Sequence, residues 1–116
     1  MKIRIKDNSI RFRLTQSEVS ELGSNGAVSS VTQFVDKPFI YTIEKTGEDV
    51  LCASFIENKI ILKMPSAMIK ELVSTDTVGF DGQTGLVKLL VEKDFVCIDN
   101  TVEDQSDNYP NPNLTC

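Results

Sequence analysis

One hundred and sixteen residues, 41% hydrophobic and 25% charged, make a chain of ordinary globular composition with room for a single core. The formal net charge is −5 and there is no histidine. An acidic chain argues against a general nucleic-acid binder, which needs a broad basic face, and the missing histidine excludes Ser-His-Asp and Cys-His nucleophiles and His-ligated zinc.

No run of about 18 apolar residues is present, so no membrane helix is expected. The first thirteen residues lack the apolar segment of a signal peptide. The expectation is a soluble cytoplasmic protein. Cys52, Cys97 and Cys116 are widely spaced and odd in number, which reads as free thiols rather than a disulfide framework. Asn113-Leu114-Thr115 matches a glycosylation sequon, a chance match without secretion.

The residues predict one mainly antiparallel α+β domain over 1–98, with seven to eight strands, curled or barrel-like, and two short helices. An acidic, Pro/Asn-rich tail follows over 99–116. Lys2–Lys6 and Ile10–Leu14 alternate basic and apolar residues, the period of half-buried strands. A turn at Asn8-Ser9 would pair Ile5 with Phe12, Ile3 with Leu14, Lys6 with Arg11 and Arg4 with Arg13. Thr15-Gln16-Ser17-Glu18 reads as a capping box with Leu14 and Val19 as its staple, and Gly23 as the helix stop. Val28–Val35 and Phe39–Glu44 flank a turn at Asp36-Lys37-Pro38. Leu51–Ile56 and Lys59–Met64 flank Glu57-Asn58, which would pair Phe55 with Ile60, Ala53 with Leu62 and Leu51 with Met64 on one apolar face.

Pro65 suits the first turn of a second helix, whose stripe is Met68, Ile69, Leu72 and Val73. Val78–Phe80 reads as a short strand before a turn at Asp81-Gly82, Leu86–Val91 as a central strand, and Phe95–Ile98 as its continuation after a break or as a strand of its own. The tail is expected to be extended, docked through Tyr109. The chain reads without an internal repeat or a linker dividing two domains.

Charge is uneven along the chain. Lys2, Arg4, Lys6, Arg11 and Arg13, against Asp7, give +4 over residues 1–13; Glu92, Asp94, Asp99, Glu103, Asp104 and Asp107, against Lys93, give −5 over residues 92–116. The alternation puts the five bases on one face of the first hairpin. They are the candidate anion-binding residues, for phosphate or carboxylate, with Glu92 as the carboxylate that orients them. The simpler reading is a solvated face balanced by acids on a neighbouring strand or the tail. There is no Walker A loop, no G-x-G-x-x-G and no zinc-finger spacing, so no cofactor, metal site or catalytic residue is assigned. The acids around Cys97 do not match the spacing of an EF-hand loop.

Met1-Lys2-Ile3-Arg4-Ile5-Lys6, Asn8-Ser9-Ile10-Arg11, Leu14-Thr15-Gln16-Ser17-Glu18-Val19, Leu90-Val91-Glu92-Lys93-Asp94-Phe95, Cys97 and Asn111-Pro112 together resemble an uncharacterised family of small bacterial proteins. The resemblance implies a recurring domain and brings no activity. Lys2-Ile3-Arg4-Ile5-Lys6 and Arg11-Phe12-Arg13 are also distantly similar to the opening strands of triphosphate-tunnel (CYTH-like) enzymes, which carry metal-binding Glu where this chain has Lys2 and Arg4. Two functions are expected: a non-enzymatic module that binds another protein or itself, as a homodimer, or a small-anion binder or minor phosphate-handling enzyme.

Overall fold

The computed structural model describes residues 1–96 and 106–110. Strands β1 (Lys2–Lys6), β2 (Ser9–Leu14), β3 (Ala27–Gln33), β4 (Pro38–Thr46), β5 (Cys52–Ile56), β6 (Lys59–Pro65), β7 (Gly79–Thr84) and β8 (Val87–Lys93) join helices α1 (Gln16–Asn25) and α2 (Ser66–Ser74). The α+β class holds, but the sheets are mixed rather than antiparallel. Two four-stranded sheets, ordered β1-β2-β8-β7 and β3-β4-β6-β5, each join two antiparallel hairpins through a central parallel pair, β2 with β8 and β4 with β6. They do not close into a barrel or tunnel.

The chain order is ββαββ twice, which corrects the reading that there is no repeat. Exchanging the halves maps one sheet onto the other. Ile5↔Ile10 and Phe12↔Val91 in the first sheet correspond to Phe55↔Ile60 and Leu62↔Ile43 in the second. Along the chain, Asn8, Ile10, Glu21, Leu22 and Ser24 recur fifty residues later as Asn58, Ile60, Glu71, Leu72 and Ser74.

All four hairpin turns lie at one end of the two sheets, and both helices close the other. The core lies between, with Phe12, Leu14, Leu22, Ile43, Leu62, Met64, Leu72, Leu89 and Val91 at 1% exposure or less. Each such side chain contributes about 1.5–3 kcal/mol by leaving water.

The first hairpin differs in register from expectation. Its turn is Asp7-Asn8, so Ile5 faces Ile10, Ile3 faces Phe12, Arg4 faces Arg11 and Lys2 faces Arg13. Asp7 takes φ 49° and Glu57 takes φ 56° in the equivalent turn; Asp tolerates the left-handed geometry that such two-residue turns demand. The two-residue slide leaves every side chain on its expected face. The second hairpin has the expected Phe55–Ile60 and Ala53–Leu62 pairs, but β5 begins at Cys52, so Leu51 is unpaired.

Helix α1 starts with the expected capping box. It runs through Gly23 and ends at Gly26, φ 77°, whose N–H reaches the Leu22 carbonyl. Gly23 serves packing instead: a Cβ there would lie 2.8 Å from Val73 Cγ2 on α2. Gly82 likewise sits inside β7 rather than in a turn, because a Cβ there would meet the Leu51 Cβ at 2.9 Å. The β7–β8 turn falls at Gly85-Leu86, with Gly85 at φ 57°. Pro65 ends β6 and stands at the N-cap position, one residue before α2. Pro38 opens β4 instead of closing a turn. In α2, Ile69 and Leu72 are buried while Val73 is 48% exposed.

Residues 106–110 cap α1. The Asp107 carbonyl accepts the Gln16 N–H at 3.1 Å and its Oδ1 accepts the Ser17 N–H at 3.3 Å. With the Thr15 side chain serving Glu18 N–H and Glu18 Oε1 accepting the Thr15 N–H at 2.9 Å, all four otherwise unpaired amides, those of residues 15–18, have acceptors. Tyr109 bridges to Phe95 in parallel, its N–H donating to the Asp94 carbonyl. The candidate strand residues Cys97 and Ile98, the acids Asp99, Glu103 and Asp104, Asn113 and Cys116 lie outside the described residues.

Candidate functional site

Strand β1 alternates Lys2, Arg4 and Lys6 outward with Ile3 and Ile5 inward. Strand β2 does the same with Arg11 and Arg13 against Ile10, Phe12 and Leu14. All five candidate bases, and Glu92 on β8, therefore share the outer face of the first sheet. They form a stripe rather than a point: at about 3.3 Å per residue, Lys2 and Lys6 stand roughly 13 Å apart.

Acids meet part of that stripe. Arg13 pairs with Glu92 in the parallel register, and its Nε donates to Glu92 Oε1 at 3.1 Å. Arg11 Nε stands 3.4 Å from the same oxygen. Lys2 Nζ lies 3.1 Å from the buried Asp94 Oδ2, an ion pair off the line of a good hydrogen bond. Glu44 stands opposite Lys63 in the other sheet, the equivalent of Glu92 opposite Arg13. Partly exposed pairs of this kind contribute about 0.2–1 kcal/mol each. Arg4, across from Arg11, and Lys6, across from Ser9, make no ion pair among the described residues.

The repeat exposes a site that the alternation of charges does not show. Two seams separate the sheet edges. Across one, β5 meets β7, and the Ala53 N–H donates to Thr84 Oγ1 at 2.9 Å. The equivalent seam lies between β1 and β3, with Ile3 in the place of Ala53 and Thr32 in the place of Thr84. There, no such bond forms between the described residues, and a groove of about 530 Å³ opens. Ile3 and Ile5 form one wall, Thr32 and Phe34 the other, and Phe39 and Tyr41 the floor. The Tyr41 hydroxyl donates to the Met1 carbonyl at 3.3 Å.

An adjoining cavity of about 360 Å³ opens at the hairpin end. Its lining includes the last inward-facing pairs Ile5–Ile10, Phe55–Ile60 and Thr84–Val87, together with Phe39. Phe39 stacks on Phe55 and meets Tyr41 edge-on, with centroids 6.4 and 6.1 Å apart. The rim is apolar too: Phe34, Val35, Phe55, Ile56 and Leu86 are all more than half exposed, a concentration of the kind that marks interaction sites.

Behind the helices, Lys93 is buried, with Nζ donating to the Thr75 carbonyl at 2.9 Å and lying 5.1 Å from the centre of the Tyr109 ring. Hydrogen bonds from Ser17 and Thr15 hold the Asp107 carboxyl below its ordinary range, and burial raises the Tyr109 phenol.

These features define a two-sheet α+β protein with a duplicated core, one basic outer face and one open seam. Residues 1–113 match a family of unknown function (DUF7009), and the chain belongs to that family. No curated protein and no solved structure matches it. No helix among the described residues is long and apolar enough to cross a membrane.

Proposed function

We propose that the chain is a small non-enzymatic binding module of the bacterial cytoplasm that receives a protein partner at the open seam. One observation carries this reading. Two equivalent seams exist, one bridged by Ala53 and Thr84, the other leaving an aromatic-floored groove between two edge strands. Edge strands with unpaired backbone groups are templates for a further strand. The groove is lined mainly by Ile, Phe, Thr and Tyr, with Met1 and Lys2 at one end, a set that supplies contact area and contains no carboxylate or thiol.

The test is selection of peptides from a random displayed library on the full chain, followed by amide shift mapping. Peptides that shift Ile3, Ile5, Thr32 and Phe34 support the reading. No binders, or binders that shift only other regions, would remove it.

A small-anion site on Lys2, Arg4, Lys6, Arg11 and Arg13 is the second reading. It draws on Arg4 facing Arg11 with no acid on Arg4 among the described residues. Its support is weaker, because Arg11 and Arg13 already share Glu92 and Lys2 pairs with Asp94. Stabilisation by millimolar pyrophosphate that disappears in Arg4→Ala would favour it.

A further inference from the structure

We infer that the occupant of the open seam is an extended segment of alternating acidic and apolar residues, added as a strand along β1; this rests on the binding-module reading above. Three observations combine. First, β1 is the terminal strand of its sheet. In a two-residue hairpin the pair flanking the turn, here Lys6 and Ser9, is hydrogen-bonded, and bonding alternates outward from it. The N–H and C=O groups of Ile3 and Ile5 then point away from β2. Ala53, the equivalent of Ile3, points its N–H in that direction, across its own seam to Thr84.

Second, the two faces of β1 differ chemically. A strand laid beside it would alternate in step. Its inward side chains would enter the groove against Ile3, Ile5, Phe34 and Phe39. Its outward ones would stand beside Lys2, Arg4 and Lys6. Cross-strand opposite charges stabilise and like charges destabilise, so the outward residues are acidic. Third, the second copy of the repeat lacks this chemistry: Arg4 and Lys6 correspond to Ser54 and Ile56 on β5, the edge whose seam is sealed. The bases thus accompany the open edge.

A second copy of the chain is a poor occupant, because antiparallel pairing of β1 with β1 would set Lys2, Arg4 and Lys6 against one another. The competing explanation is that these bases only protect an exposed edge from aggregation.

The experiment titrates the full chain with a nine-residue peptide alternating Val and Glu and follows backbone amides. The expected result is slowed exchange at Ile3 and Ile5, with shifts at Phe34 and Phe39. The Arg4→Glu/Lys6→Glu variant, changed only at exposed positions, should bind about tenfold more weakly and should prefer a Val/Lys peptide. An unchanged Ala53 amide reports that the variant is folded. Equal affinity in the variant, or equal binding of an all-Glu peptide, overturns the inference. If a Val/Ser peptide binds the groove as well as Val/Glu, the acidic preference is wrong while the module reading stands. If the Val/Glu, Val/Lys and Val/Ser peptides all leave β1 and β3 unperturbed, both fail.

Discussion

Replacing Tyr109 by Ala measures how much the segment 106–110 contributes to the fold. The ring lies 5.7 Å from Phe95, centroid to centroid, and 5.1 Å from Lys93 Nζ. An aromatic pair contributes about 0.5–1.5 kcal/mol beyond burial. A cation over a ring adds about 0.5–2 kcal/mol, towards the upper end when the ammonium is buried. These terms overlap, so the expected loss is about 2–3 kcal/mol, or roughly 8–12 °C in Tm for a domain of this size. Urea denaturation of Tyr109→Ala, Tyr109→Phe and the parent is the assay. The Phe variant keeps the ring contacts and should stay within about 0.5 kcal/mol of the parent. An Ala variant equally stable would refute docking of the segment through this ring.

Other expectations follow from the same contacts. The folded-state pKa of Asp107 is lowered, so its contribution is present above the unfolded carboxylate pKa and is lost as pH falls through the folded value, below about pH 4. The stability gap between the parent and Asp107→Ala should therefore close in acid, and a gap constant from pH 7 to pH 2 would contradict this. The Tyr109 phenol is raised, so its contribution is lost as pH rises through its folded value, above about pH 10, and Tyr109→Phe should lack that alkaline loss. Phe12→Ala and Leu62→Ala empty equivalent core positions, so each should cost about 3–5 kcal/mol in chemical denaturation. Glu92→Gln leaves Arg11 and Arg13 without their acid; a loss of about 1 kcal/mol that shrinks in 1 M salt is expected.

What could be read from the sequence was local. The capping box at Thr15 and Glu18, the Phe55–Ile60 hairpin and the shared face of Lys2, Arg4, Lys6, Arg11 and Arg13 follow from neighbours a few residues apart. The parallel pairing of β2 with β8 joins Phe12 to Val91, and no local pattern encodes a partner so distant in the chain. The repeat is faint because few identities survive in either the core or the surface: Asn8, Ile10, Glu21, Leu22 and Ser24 recur, whereas Phe12 and Leu14 become Leu62 and Met64, and Arg4 and Arg11 become Ser54 and Ile61. The fifty-residue offset sets the first turn, Asp7-Asn8, in the place of Glu57-Asn58. The open seam is not legible even with the repeat in hand, because both seams carry threonine at the equivalent place, Thr32 and Thr84, and they differ only in whether that hydroxyl receives the N–H across the seam.

The most direct measurement is amide hydrogen exchange in the free protein at the two equivalent positions, Ile3 and Ala53. Ala53 N–H has a side-chain acceptor across its seam, so it should exchange slowly, while Ile3 N–H should exchange rapidly until an extended peptide covers it. Equal protection at Ile3 and Ala53 without any ligand would mean that both seams are closed, and would contradict the binding site proposed for this chain.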